Sequence, residues 1–395
     1  MELSSSLKTF IEKLKTNRQT QITTASIVLL VVVIIGGIIF AKVTNDKKRG
    51  ISEDGTMGNQ ADESKYSLEF PNLGEKQAPL NQGEISPLSG LKCDTMSNKD
   101  RRPIAVMLAS DKSVRPLSGI KDADMVFEMP VITASITRLM AVFVCNSPSE
   151  IGSIRSVRHD YITLAKGIDA MLAHWGGSHF ALEMLKNKNT VPDLDALRNE
   201  GGAFFRKAGI PAPDNGFASY DGLLNTAKTL GYRLENHFEG YPHRQESVLS
   251  ERGKGGTLVA GFAGAYRAEY TYDPKTNSYL RNWGGREDTD RNSGEKIAPK
   301  NIVVMFATSR QIEGQYNDVD IEGEGEMFAY MEGHEFTGRW EKKKGNCAIG
   351  NELVCVNSAK LKFIKEDGQE LEFIPGQIWV EVLEPGQKLK WTPVQ

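Results

Sequence analysis

Apolar and polar positions along this chain fall into four regimes. From Gln19 to Ala41 no position is charged, and its centre, Ile27 to Phe40, is aliphatic apart from two glycines and one Phe. At 1.5 Å per residue this run spans roughly 30 Å, the thickness of a bilayer core, and predicts a single N-terminal transmembrane helix. An uncleaved anchor fits better than a cleaved signal peptide. Ile39-Phe40-Ala41 lacks the small residue wanted three positions before a cut, and the run is long for a signal. A lipoprotein signal is excluded, because no cysteine follows the run until Cys93. Basic residues flank both ends: Lys8, Lys13, Lys15 and Arg18 before, Lys42, Lys47, Lys48 and Arg49 after. A large trailing domain crosses largely regardless of such charges. Residues 1–18 are therefore expected in the cytoplasm and the chain beyond 42 outside.

In residues 42–91 apolar positions come singly among Gly, Ser, Asn, Asp, Glu, Lys and Pro. Such a stretch cannot bury enough surface to offset its ordering entropy, and it predicts a flexible linker. From 92 to 250 continuous apolar runs appear: Pro103–Leu108, Asp124–Glu128 and Arg138–Val144, the signature of buried strands. Then the period changes. Val157, Tyr161, Leu164, Ala165, Ile168 and Leu172 recur at helical spacing, with Ser153 or Ser156 able to cap the start. Ala170–Ala173 reads as a further strand, followed by Gly176-Gly177-Ser178 and a helix through Leu182 and Leu185. Strands alternating with helices predict an α/β N-terminal domain, a mixed sheet with flanking helices. A glycine-rich hinge is expected over 251–264. From 265 to 395 short alternating segments separated by Gly and Asp turns predict a mainly β C-terminal domain. The clearest hairpin signal is Ala268–Tyr272, a turn over Asp273–Ser278, and Tyr279–Arg281.

Composition narrows the function classes. The chain has 395 residues, and 48 Lys+Arg against 51 Asp+Glu give a net charge of −3. That balance argues against a dedicated nucleic-acid binder, which needs a basic excess to neutralise phosphates. Of the four cysteines, Cys93, Cys145, Cys347 and Cys355, no pair has C-x-x-C spacing. Cys347 and Cys355 bracket a turn between strand-like runs and could bridge, which an oxidising exterior permits; four free thiols are the alternative.

The densest polar group is Glu150-Ile-Gly-Ser-Ile-Arg155-Ser156-Val-Arg158-His159. Arg155 and Arg158, three apart at a predicted helix start, would project together as an anion cradle. Asp111, Arg115, Glu128 and Arg138 sit near predicted strand ends, where ligands of open sheets usually bind. The competing expectation is that these arginines and carboxylates pair structurally. Ser178, after Gly176 and Gly177, resembles a nucleophile position with His174 or His159 as base, but it lacks G-x-S-x-G spacing, and an N-cap role is the simpler reading. Pro211-Ala-Pro213-Asp214-Asn215 is an extended loop whose Asn215 could line a groove. Nothing in the spacing of histidines and carboxylates predicts a metal, and no motif predicts a cofactor.

An ordered set of motifs carries a family resemblance. Arg102–Met107, Arg115-Pro-Leu-Ser-Gly119, Ala123–Glu128, Ile136–Phe143, Ile151–Arg158 and Gly176-Gly177-Ser178 are followed by Tyr272-Asp-Pro274, Asn301–Val304, Gly323-Glu-Gly325, Gly338-Arg-Trp340 and Pro375–Trp379. The set resembles the YerB-like bacterial envelope proteins, a two-part domain of unknown function, over about residues 100 to 382. The family is often lipid-anchored. Where its proline loop usually reads Ala-Pro-His-Asn, this chain has Ala212-Pro213-Asp214-Asn215. Where it often has a His-x-Asp pair, this chain has Arg286-Glu-Asp288. The resemblance implies envelope localisation and a two-part architecture, with no established reaction. The expectation is a single-pass protein of the bacterial plasma membrane with extracytoplasmic domains. It would bind an anionic envelope polymer or a cell-wall synthesis protein through Arg155, Arg158, Ser156, Arg138, Arg115, Asp111, Glu128, Gly177, Ser178 and Asn215. The alternative is an envelope hydrolase using Ser178 and His174.

Overall fold

The long apolar runs become the centre of a large sheet. In the computed structural model, which describes residues 85–93, 100–186, 191–199, 201–262, 264–344 and 359–394, β1 (Ile104–Ala109), β2 (Met125–Pro130) and β3 (Thr137–Phe143) are buried at every position. Burial on both faces is why they read as unbroken hydrophobic runs rather than alternating ones. Shorter strands follow: β4 (Ile151–Gly152), β5 (Met171–His174), β6 (Asp193–Asp195), β7 (Phe204–Arg206) and β8 (Gly216–Ala218). The α-helices among the described residues are α1 (His159–Gly167), α2 (His179–Leu185) and α3 (Tyr220–Thr229).

The regular elements that follow among the described residues are strands, apart from two short 3-10 turns. β9 (Gly256–Gly261), β10 (Ala268–Asp273), β11 (Ser278–Trp283) and β12 (Arg286–Glu287) precede β13 (Asn301–Phe306). The hairpin β14 (Ser309–Glu313) and β15 (Tyr316–Val319) leads into β16 (Gly323–Met331), β17 (His334–Lys342), β18 (Leu361–Lys365), β19 (Ile378–Leu383) and β20 (Lys388–Pro393).

Ten strands form one mixed sheet in the order β18-β17-β16-β13-β19-β2-β3-β1-β5-β6. β19 is the seam. This C-terminal strand runs parallel to β13 on one side and parallel to β2 on the other, with Glu381 opposite Glu128. A five-stranded sheet, β12-β11-β10-β9-β20, packs its Leu258, Tyr270, Tyr272 and Tyr279 on Ile302, Val304, Tyr330 and Leu383 of the large sheet. Tyr161, Leu164 and Ala165 of α1, with Ile168 at its C-cap, join Met107, Phe127, Val142 and Leu172 in the core. A disulfide joins Cys93 to Cys145, just beyond β3.

Three expectations change. The fold is not an α/β layer followed by a β domain: it is mostly β, built on large sheets with three short α-helices among the described residues. No helix among them is long and apolar enough to cross a membrane; residues 19–41, where that helix was expected, lie outside the described residues, as do Cys347 and Cys355. The helix expected from Ser153 or Ser156 begins only at His159, with Arg158 in an extended conformation as its N-cap. Backbone pairing explains the delay. Ile154 bridges Leu108 and Arg155 N donates to Met107 O at 2.9 Å, while Ile151–Gly152 pair with β8 and Val157 bridges Gly177, so 151–157 is held extended before a helix can form. Leu172 belongs to β5.

Candidate functional site

Extended pairing of 151–157 places three arginines around one cavity of about 520 Å³. Arg138 comes from β3, Arg155 from the paired segment and Arg158 from the cap of α1. Ser156 and Gly177 line the same space, as do Asp111, Asp214 and Tyr316. Arg158 is 9 % exposed, and its guanidinium stands 5.2 Å from the Tyr316 ring centroid. Arg138 donates from Nη1 to Ser156 O at 2.7 Å. Gly177 lets the walls close: a Cβ there would stand 2.8 Å from a Val157 methyl.

The charges in this cavity do not balance. The two lining aspartates are already engaged by hydroxyls, Asp111 by Tyr266 at 2.6 Å and Asp214 by Ser113 at 2.9 Å. Asp214 reaches only Arg155, at 3.7 Å. No carboxylate pairs with Arg138 or Arg158 among the described residues. The Nε–H groups of Arg138, Arg155 and Arg158 are all buried without an acceptor. Buried donors rarely lack partners, and here three lie together without one. Burial, and then the neighbouring Arg158, push the Arg138 guanidinium down to about 9. Burial lowers Arg158 as well, although Tyr316 partly opposes it.

The other expected site residues go elsewhere. Arg115 forks onto Asp288 at 2.6 Å and lies 4.2 Å from the Trp283 ring centroid, away from the cavity. Glu128 is fully buried and accepts from Arg281, Ser110 and Thr137. Asn215 accepts from Arg206 at 2.5 Å. Ser178 caps α2, its Oγ accepting from Ala181 N at 3.2 Å. His174 Nδ1 faces Gly176 O at 2.9 Å, and its Nε2 faces Asp193 at 3.6 Å. Neither ring nitrogen is hydrogen-bonded to Ser178, so the two do not form a nucleophile–base pair.

Glu128 belongs to a buried network that links the two sheets. Arg281 of β11 contacts Glu128 of β2 and Asp288, and its Nε donates to Tyr270 Oη at 3.0 Å, which in turn donates to Glu381. Burial pushes Asp288 up, but Arg115 and Arg281 outweigh it and hold it below the usual range. Glu381 goes the other way: burial first, then Glu128 opposite it, push it up to about 8. At neutral pH Glu381 is therefore the neutral acid beside the Arg281–Asp288 ion pair. Glu381 has a folded pKa above its ordinary 4.5, so its contribution to stability is complete below about pH 4.5 and is lost as pH rises through about 8. Glu381→Gln, neutral throughout, should remove that decline, which has a limiting slope of about 1.4 kcal/mol per pH unit. Urea unfolding of both proteins from pH 5 to 9 checks this, and parallel stability curves would contradict it.

Sequence reasoning missed Tyr316 and Gln315, which reach the cavity from β15 and the turn before it. It missed Arg281 and Glu381 as well. Glu381 carried a signal: it is the only charged residue in the run Ile378–Leu383, and such a residue on a fully buried strand must find a partner.

The family model described as the N-terminal domain of a protein of unknown function (DUF3048) matches residues 88–233. The model for the C-terminal domain of the same family matches 258–380. A Bacillus subtilis (strain 168) protein named "Putative lipoprotein YerB" is 29% identical over 306 residues, covering 75% of this chain and 86% of its own. The crystal structure of YerB from Bacillus subtilis superposes with a TM-score of 0.68 at 27% identity, covering 78% of this chain and 99% of that one.

Proposed function

This chain belongs to the YerB-like, two-part DUF3048 family, and from that premise we propose that it is an envelope-associated binding protein whose three-arginine cavity takes an anionic group. The observation that carries the reading is the set of three buried, acceptor-less Nε donors on arginines that outnumber the carboxylates around them. A phosphate or carboxylate would supply the missing oxygens and the missing charge together. The volume suits one charged group with a neighbouring sugar or short linker.

An extracytoplasmic, membrane-attached location is supported by the name of the Bacillus subtilis relative and by the Cys93–Cys145 bond, since disulfides persist in oxidising surroundings. The anion then comes from an envelope polymer, or from a carboxylate displayed by a cell-wall synthesis protein. The test is calorimetric titration of the purified full chain with a glycerol-phosphate oligomer, a carboxylate-bearing peptidoglycan fragment and a neutral glycan. Binding of a charged ligand that weakens with salt is expected. Equal affinity for the neutral glycan, or no binding of either charged one, would refute the reading.

A further inference from the structure

The first turn of α1 and the strand β15 bring three ligating side chains together outside the arginine cavity. His159 Nε2 stands 3.2 Å from Asp318 Oδ1 and 3.4 Å from Asp160 Oδ1. One ligand atom from each residue fits within a 4.8 Å span. Two ligands held about 2.0–2.1 Å from one cation, at octahedral or tetrahedral angles, are themselves about 2.9–3.4 Å apart. The spacing fits a coordination sphere, in which a cation would replace the His159–Asp318 hydrogen bond.

A second observation concerns satisfaction. Asp160 is only 3 % exposed, and its Oδ1 accepts from Val319 N at 3.1 Å, but its Oδ2 is buried with no partner. All three residues line a second cavity of about 790 Å³. Of the cations that line it, Arg310 takes Asp318 through Oδ2, leaving Oδ1 toward His159, Lys342 faces Glu322 at 3.7 Å, and Lys343 and Lys344 are exposed. A buried carboxylate oxygen with no donor costs free energy that a bound cation would recover.

We propose that His159, Asp160 and Asp318 bind one divalent transition-metal cation, of the zinc or manganese class, which fastens β15 to the first turn of α1. An imidazole nitrogen beside two carboxylates favours those ions over magnesium and calcium, which prefer oxygen alone. Three protein ligands leave positions for water. Asp318 lies 159 residues after His159, so no local spacing motif announces the site. Because β15 also carries Tyr316, the cation would steady one wall of the arginine cavity, although the site stands on its own geometry.

The test uses untagged full chain stripped with EDTA and titrated with Zn²⁺ and Mn²⁺ against a chromophoric chelator. One equivalent bound at micromolar affinity or tighter is expected, with a rise in Tm. His159→Gln and Asp318→Asn, both at partly exposed positions, should each weaken binding at least 100-fold while far-UV circular dichroism stays native. Hydrogen exchange at the Val319 amide should slow on metal addition in the parent chain and not in the variants. Absence of the equivalent, unchanged affinity in both variants, or equal affinity for Mg²⁺ would overturn the proposal.

Discussion

Arg281→Met lowers the unfolding free energy by about 3–5 kcal/mol at pH 7. Arg281 is 1 % exposed and sits between Glu128 and Asp288, above the Trp379 ring at 4.3 Å. Methionine fills similar volume but leaves Glu128 charged, fully buried and supported only by the hydroxyls of Ser110 and Thr137. Asp288 still has Arg115, so the cost concentrates on Glu128. Adding Glu128→Gln to Arg281→Met should therefore recover part of the loss, because the uncompensated charge is gone. Urea unfolding of the parent, the Arg281→Met and Glu128→Gln single variants and the double variant gives the coupling directly. Additive destabilisation by the two substitutions would show that the pair is not the stabilising unit. Since Glu128 is on β2 and Arg281 on β11, the same network decides how firmly the five-stranded sheet sits on the large one.

The second large effect is on binding. Arg155→Gln combined with Arg158→Gln should weaken capture of an anion by 100-fold or more, because each charge-assisted hydrogen bond lost costs about 1.5–3 kcal/mol. The accompanying change in stability has the opposite sign from that expected of structural salt bridges. Arg158 and Arg155 both push the Arg138 guanidinium down, so removing them relieves repulsion. The lost compensations are small: a ring contact from Arg158 to Tyr316, a 3.3 Å hydrogen bond from Arg158 Nη1 to Val157 O, and a partly exposed 3.7 Å contact from Arg155 to Asp214. Tm should hold or rise while binding disappears. A fall of more than a few degrees with binding retained would mark the arginines as structural.

Strands were legible in the sequence where burial made their pattern continuous. β1, β2, β3, β13 and β19 all fall on apolar runs. What the runs do not carry is their order. β19 lies between β13 and β2 through a pairing with a strand some 250 residues earlier, which local periodicity does not encode. Residues 151–172 show the same limit at the site. Their helical spacing is real for Tyr161, Leu164 and Ala165, but pairing with β8, β1 and Gly177 in turn claims the segment up to Val157 and delays the helix. Arg155 and Arg158 therefore meet across an extended stretch and a cap instead of along one helical turn. Arg115 and Glu128 are chemically equivalent to the cavity residues in sequence, yet Asp288 and Arg281, distant in the chain, claim them. Tyr316 reaches the cavity from a hairpin that no local motif connects to the arginines.

The most direct measurement is a crystal of the full chain grown with selenate and recorded at the selenium edge. A selenium peak is expected in the cavity, within hydrogen-bonding distance of the Arg138, Arg155 and Arg158 guanidiniums. An empty cavity in which Asp111 and Asp214 have turned onto those guanidiniums would show that the arginines were waiting for the protein's own carboxylates and not for a ligand.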